Sequence, residues 1–457
     1  MLQAVILLVL LGLATFILRR QYSGALVATP YAHLVYFLFV TYIGGMLLAG
    51  QYDLENTYYI ALVGFLTVAS ALLGYALVTV NFGTLGTAVM RYTGYRGERL
   101  LADPSLLLSI LVLVVITFGV SLVFFNGFPP VLATLFDFIQ GRGSLNSLIS
   151  VRDARFELTK GAYFGGEYRG QGLLREIIQT NCSVISAYFF ARLGSRYTSR
   201  NIAGVVFAVV FAWIFVGGVG DRAPFLENIV IGASAYGLCR PVKPRAVAAM
   251  AISLVMLLLL TSLFSTKSYV LVQKGFAGGS LDLLWMNIER VLVGNSINDA
   301  RIVELVHSGR WELRNGAVHL RNFITSIPGV QYGRPVAYEL FAYYNPYSSR
   351  STFYSGTYLS STYLDFGLIG SMVAYALCGV ASGLTERFMF LKDKVTGLEF
   401  VFLPVLSFLV AKMTIYGPNG LLTNLATLGA AFIVVLASAV FLRSLSGAGA
   451  PTMLVRS

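Results

Sequence analysis

The chain is poor in charge. Only 12% of its 457 residues are Asp, Glu, Lys or Arg, against 56% hydrophobic residues, and its mean hydropathy of +0.74 exceeds what one soluble core can hide from water. A water-soluble globule is excluded, and lipid must solvate the surplus. Cysteine is nearly absent: Cys182, Cys239 and Cys378 fall inside or at the ends of apolar runs, too dispersed for metal-ligand spacing, and read as buried thiols. No Asp-x-Asp pair occurs in the long polar segments, and no His/Cys/Glu cluster offers metal spacing, so a divalent ion held against a diphosphate has no evident ligands. No internal repeat or low-complexity tract is evident. Short alternating segments are lacking too, which excludes a membrane β-barrel.

Long apolar runs fill the chain instead. Helical spans of roughly 17 to 25 residues cross a hydrocarbon layer of about 30 Å. They are expected near 2–18, 30–50, 57–80, 104–127, 171–191, 201–219, 223–239, 246–265, 366–386, 397–416 and 421–442. No charged segment precedes the run at 2–18 and no clear small-residue cleavage site follows it, so it reads as a first span and not as a signal peptide. The fold class is an all-α polytopic integral membrane protein with about eleven spans in a single transmembrane domain, 1–457.

The net charge of +12 is explained first by topology. Alternate loops carry Arg19 and Arg20; Arg91, Arg96 and Arg99; Arg192, Arg196 and Arg200; Arg240, Lys243 and Arg245; Arg387, Lys392 and Lys394; then Arg443 and Arg456. That alternation makes their side cytoplasmic, with the N-terminus outward and the C-terminus inward. Nucleic acid is not the expected partner. The outward side then holds two long loops, 128–170 and 266–365, the second part helical through Ile297, Ile302, Val303 and Val306 and irregular from Pro328 to Tyr354.

Arginine on the outward side is not needed for topology. The first long loop holds Arg142, Arg152, Arg155, Lys160 and Arg169, and the second Arg290, Arg301, Arg310, Arg314, Arg321, Arg334 and Arg350. Some pair with Asp137, Asp153, Glu157, Asp299, Glu304 or Glu312; the remainder offer donor forks suited to phosphate or carboxylate oxygens. Arg222 stands out, in the turn Gly217-Gly218-Val219-Gly220-Asp221-Arg222-Ala223-Pro224. Pro224 suits a helical first turn, whose free N–H groups and Arg222 would together face an anion. His307 and His319 are the candidate general bases in the large loop, with Glu167, Glu227, Asp299 and Asp365 as carboxylate competitors. The tyrosines at 343, 344, 347, 354 and 358 suit either sugar faces or a membrane interface.

Three stretches resemble a known family, the bacterial oligosaccharide repeat-unit (O-antigen, Wzy-type) polymerases. Gly356-Thr357-Tyr358-Leu359-Ser360-Ser361-Thr362-Tyr363-Leu364-Asp365-Phe366-Gly367 is similar to the family segment in which a Tyr and an Asp-Phe-Gly lead into a span. Gly220-Asp221-Arg222-Ala223-Pro224-Phe225-Leu226 is similar to its Gly-x-Arg turn, and Ser326-Ile327-Pro328-Gly329 resembles a proline segment late in its large loop. Arg152-Asp153-Ala154-Arg155 sits where such polymerases carry arginines, and Arg155 is followed by Gly166 as in an Arg-x10-Gly pattern.

The resemblance implies a metal-independent, GT-C-like membrane glycosyltransferase of the bacterial inner membrane that uses no cofactor. Its donor and acceptor would both be oligosaccharides linked to undecaprenyl diphosphate, with a chain-length regulator as a candidate protein partner. On that reading Arg152, Arg155, Arg222 and Arg334 serve the diphosphate, and His307 or His319 takes the acceptor proton, with Glu227 or Asp365 in reserve. An O-antigen ligase, a flippase for lipid-linked oligosaccharide and an envelope scaffold are the rival expectations.

Overall fold

The computed structural model describes residues 32–35, 37–38, 54–79, 101–142, 171–217, 222–240, 296–325, 327, 330, 336–346, 356–390 and 396–445. Every regular element among them is helical. In chain order they are α1 (Thr57–Thr79), α2 (Pro104–Phe124), α3 (Pro130–Ile139), α4 (Gln171–Ser195), α5 (Ser199–Ala212), α6 (Arg222–Cys239), α7 (Ser296–His307), α8 (Ala317–Thr325), α9 (Val336–Tyr344), α10 (Tyr358–Phe390), α11 (Gly397–Ala411) and α12 (Met413–Leu445). A π-turn, Trp213–Gly217, prolongs α5.

Five of these helices are long and apolar enough to cross a membrane: Thr57–Thr79, Pro104–Phe124, Ser199–Gly217, Tyr358–Met389 and Met413–Leu442. The protein is membrane-embedded, and helix is the one regular structure among its described residues. The expected spans at 2–18 and 246–265 lie outside the described residues, as does most of 30–50, from which His33, Leu34 and Leu38 are helical and buried.

Local chemistry sets the helix ends. Asp103 caps α2 by accepting from the Ser105 N–H at 2.9 Å, with Pro104 in the first turn, where the missing N–H costs nothing. Thr198 caps α5, and Thr396 with Glu399 forms a reciprocal capping box at α11. Inside the apolar helices Ser109, Thr117 and Ser121 return their hydroxyls to backbone carbonyls of the preceding turn, so no polar atom of theirs faces lipid unpaired.

The bundle is organised around α4, which packs against α2, α5, α6, α11 and α12. A second long contact joins α1 to α10. There the backbones touch: a methyl group at Gly379 would collide with the Ala71 carbonyl, and one at Gly74 with the Ala376 carbonyl. Gly379 and Gly383 form a Gly-x-x-x-Gly face on α10, and the close approach supplies dispersion contact that lipid cannot replace.

Two of the long helices are broken. Gly367 (φ 65°, ψ −158°) interrupts α10 and Gly417 (φ 71°, ψ −178°) interrupts α12, in a region of backbone space that side chains with a Cβ essentially never occupy. The first break falls where the span at 366–386 was expected to begin, and the helical turns before it, from Tyr358, form a separate segment. The break expected between the spans at 397–416 and 421–442 falls at the non-helical Gly417, followed by Pro418, a kink inside α12, which begins at Met413 directly after α11 ends at Ala411.

The large loop is more helical than its composition suggests. Within the stretch read as irregular, Val336–Tyr344 is a helix, because Val336, Leu340 and Tyr344 share one face and pack with Ile302, Leu305 and Leu364 in a small second core. α3 opens the other long loop.

Replacing Gly379 with Val drives a side chain into the α1 backbone and lowers stability by about 2 kcal/mol or more. Gly429→Ala, where nothing lies within 4 Å, leaves the thermal midpoint in detergent unchanged or slightly raised. Equal midpoints for both variants would show that the α1–α10 contact contributes little.

Candidate active site

The first segment of α10 ends in Leu364-Asp365-Phe366, and the chain before α8 folds back upon it. Asn315 (φ 48°) and Gly316 (φ 93°) reverse the backbone, while the Arg314 and Asn315 N–H groups donate to the carbonyls of Leu364 (2.9 Å) and Asp365 (3.1 Å). This turn lays the N-terminus of α8 over the Asp365 side chain, which accepts from the N–H of Val318 at 3.0 Å and of His319 at 2.8 Å. Asp365 therefore caps a helix remote from it in sequence, satisfying donors that α8 cannot satisfy itself and facing its positive dipole end. The carboxylate is fully buried.

The same oxygen of Asp365 that binds the His319 N–H lies 2.5 Å from His319 Nδ1. An ionised carboxylate only accepts, so Nδ1 carries the proton and Nε2 keeps its lone pair. The imidazole is partly exposed and is flanked by the rings of Phe366, 5.3 Å away, and Tyr358, 5.6 Å away. Nε2 has no partner among the described residues. This is the arrangement of an oriented general base: one nitrogen tied to a buried carboxylate, the other open.

A second buried carboxylate brackets the other end of the same segment. Asp299, on α7, accepts from the Thr357 N–H and hydroxyl, both at 2.7 Å, and from the Ser360 hydroxyl. Burial pushes its carboxyl up to about 6, against the opposing pull of those Ser360 and Thr357 hydrogen bonds. Glu304, also on α7, accepts from the Glu55 N–H at 2.8 Å just ahead of α1. Thus α7 clamps the start of α10 to the start of α1.

His307 and His319 are not brought together. His307 stacks on the Tyr59 ring, centroids 3.8 Å apart, and the Tyr59 hydroxyl shares a 2.8 Å hydrogen bond with Tyr363. It is exposed and has no carboxylate orienting it among the described residues. Of the two histidine candidates, His319 alone has the geometry of a base.

Glu227 is committed elsewhere. Its carboxylate pairs with Lys412 Nζ at 2.5 Å, both side chains largely buried, and the Lys412 ammonium lies 4.9 Å from the centre of the Tyr416 ring. Lys412 also feels the charge of Glu176, and an ion pair this buried is costly to break, which favours a structural role for Glu227. This pair adjoins the dyad through one ring: Tyr358 touches His319 on one side and packs on the bare backbone of Gly417 on the other, where a Cβ would stand 2.6 Å from the ring.

Arg321 was one of many loop arginines in the sequence, and nothing there singles it out. In the structure Arg314 (2.6 Å) and Arg321 (3.0 Å) share the Glu339 carboxylate. Arg321 spends only Nη1 on that bond. Its Nε and Nη2 are buried without a hydrogen-bond partner, and these two adjacent N–H groups form the parallel fork that fits two oxygens of a phosphate or carboxylate. At about 100° per residue, Arg321 and His319 lie some 160° apart around α8. They therefore face different sides of the helix.

Arg222 opens α6, as the glycine-rich turn suggests, with Pro224 in the first turn; its side chain, and all of Arg152, Arg155 and Arg334, lie outside the described residues. Among the described residues no three His, Cys, Asp or Glu side chains gather as a metal site. Cys182 and Cys378 are buried and unbridged, as expected from their apolar surroundings. Comparison with protein-family models, with curated proteins and with solved structures finds no match to this chain.

Asp299 generates a pH prediction. Its carboxyl, raised in the folded protein from 3.8 to about 6, stabilises the fold fully below pH 4, and that contribution is lost as pH rises through 6. Thermal midpoints between pH 4 and 7 should fall more in the wild type than in Asp299→Asn. Parallel profiles would mean that the carboxyl is ionised throughout.

Proposed function

We propose that the protein is a membrane-embedded glycosyltransferase that polymerises oligosaccharide repeat units carried on undecaprenyl diphosphate, working on the periplasmic face of a bacterial inner membrane. The observation that carries the proposal is the His319–Asp365 dyad, in which a buried carboxylate fixes the tautomer and leaves Nε2 to accept a proton. A scaffold has no need of an oriented base; a transfer to a hydroxyl does. The motif stretches around Arg222 and Asp365 that resemble the repeat-unit polymerases point to the same chemistry.

In the proposed step a hydroxyl of the incoming lipid-linked repeat unit attacks the anomeric carbon of the donor glycan. The new C–O bond forms as the bond from that carbon to the donor diphosphate breaks, and the bonding pair leaves with undecaprenyl diphosphate. The hydroxyl proton passes to His319 Nε2, and Asp365 stabilises the imidazolium so formed. Negative charge grows on the departing diphosphate, where guanidinium groups act on rate as well as affinity. Arg152, Arg155 and Arg222, with Arg334, are proposed for that role. Arg321 is proposed to hold a separate anionic group of a substrate through its empty fork.

The finer architecture belongs to the same proposal: about eleven spans of GT-C-like type, the N-terminus periplasmic and the C-terminus cytoplasmic, and no cofactor. A ligase would use the same dyad on a different acceptor.

The test is reconstitution of the purified protein in liposomes with undecaprenyl-diphosphate repeat units in EDTA, read as a product ladder on a gel. A ladder is expected, lost in Arg222→Gln and slowed about 100-fold or more in His319→Gln. Arg321→Lys keeps the charge but loses the fork, and should raise KM with kcat little changed. Full activity of His319→Gln removes the dyad from the reaction. No ladder with substrate intact, but transfer to a different lipid acceptor, makes the protein a ligase; movement of substrate without transfer makes it a flippase.

A further inference from the structure

α8 buries Val318 in the small second core and exposes a second apolar face on its other side. Its outward face is Ala317, Leu320, Phe323 and Ile324, continued by Ile327, with Leu320 57%, Phe323 50% and Ile327 47% exposed. No charge interrupts that face. The opposite side carries Val318, buried in the small second core, with Asn322 and Thr325 half-buried, while Arg321, its side chain only 11% exposed, lies on the flank next to Ala317. An exposed apolar stripe with no charge on it is disfavoured in water and favoured in hydrocarbon.

The stripe also has a neighbour that identifies its solvent. Phe366 lies beside His319 and Gly316, and Leu313 beside Gly367, which joins α8 to the start of the membrane-crossing part of α10. From there Phe366, Ile369, Val373, Leu377, Leu384 and Phe388 run down α10 at helical spacing, all exposed, on a helix apolar enough to span the bilayer. The face of α8 is thus continuous with a face that lipid must cover.

We infer that α8 is an interfacial helix whose Leu320–Phe323–Ile327 face is sunk into the outer edge of the bilayer beside α10, its occupant being lipid acyl chain. A depth of about 5 to 10 Å is usual for such helices. The inference rests on the membrane-embedded fold and not on the proposed reaction. If that reaction holds as well, the consequence is that His319, on the flank of this face, stands at the lipid boundary, where a carrier lipid delivers its headgroup without leaving the membrane.

The test uses nitroxide labels on Leu320→Cys, Phe323→Cys and, as the wet reference, the exposed Glu312→Cys, with Cys182, Cys239 and Cys378 replaced by Ala. The full chain is placed in lipid nanodiscs, and collision with oxygen, which concentrates in hydrocarbon, is compared with collision with a water-soluble nickel chelate. Oxygen should exceed nickel several-fold at positions 320 and 323, and the order should reverse at 312. Nickel accessibility at 320 and 323 equal to that at 312 would overturn the inference. Low accessibility to both reagents would overturn it too, in favour of a protein cover. The readout needs no turnover, so a failed transfer reaction leaves it unaffected.

Discussion

The end of this molecule that carries α7, α8 and the start of α10 depends on one carboxylate. Asp365 holds the first turn of α8 by two backbone N–H groups and the His319 imidazole by a third bond. Two of these satisfy a helix end that would otherwise be orphaned, and the third orients a side chain. Helix docking and ring orientation therefore share one carboxylate: the bonds that dock α8 also place His319, and His319 cannot lose its orienting partner without exposing the helix end. The buried position of Asp365 makes this coupling strong, since each donor lost there leaves an unpaired group away from water.

The rest of the site is arranged around the short segment that precedes Gly367. Asp299 fixes its beginning, Asp365 ends it, and Tyr363 and Tyr358 project from it toward Tyr59 and Gly417. The glycine breaks in α10 and α12 make this possible, because an uninterrupted helix would carry these residues straight along its axis and away from α8. Both breaks leave a bare backbone surface, and at Gly417 the Tyr358 ring occupies it.

Much of this was legible in the sequence, and the reasons differ by element. Spans such as Thr57–Thr79 and Pro104–Phe124 were readable because run length and hydropathy alone decide them. His319 and Asp365 were readable as candidates because ionisable residues are scarce here, but their pairing was not: it depends on the turn at Asn315 and Gly316, whose left-handed backbone is a tertiary choice. The helix Val336–Tyr344 was hidden by tyrosines and serines that favour irregular structure locally, while its stability comes from contact with Ile302 and Leu364, far away in the chain. Glu227 read as a reserve base because Lys412, its partner, lies in a distant span. Arg321 differs from its neighbouring arginines only in which of its N–H groups are filled, a distinction that exists only in three dimensions.

The glycine seam between α1 and α10 has a mechanical consequence. Helices whose backbones touch cannot slide or roll past one another without separating, so the span of α10 below Gly367 behaves as a fixed post. Gly367 then sits at the top of that post as its one compliant joint, with no Cβ to resist a change of dihedral angle. The segment from Tyr358 to Phe366 above it is tethered from the side, by Asp299 on α7, by the Tyr59–Tyr363 hydrogen bond and by α8, so that a rigid stem and lateral ties together hold the His319–Asp365 pair in place.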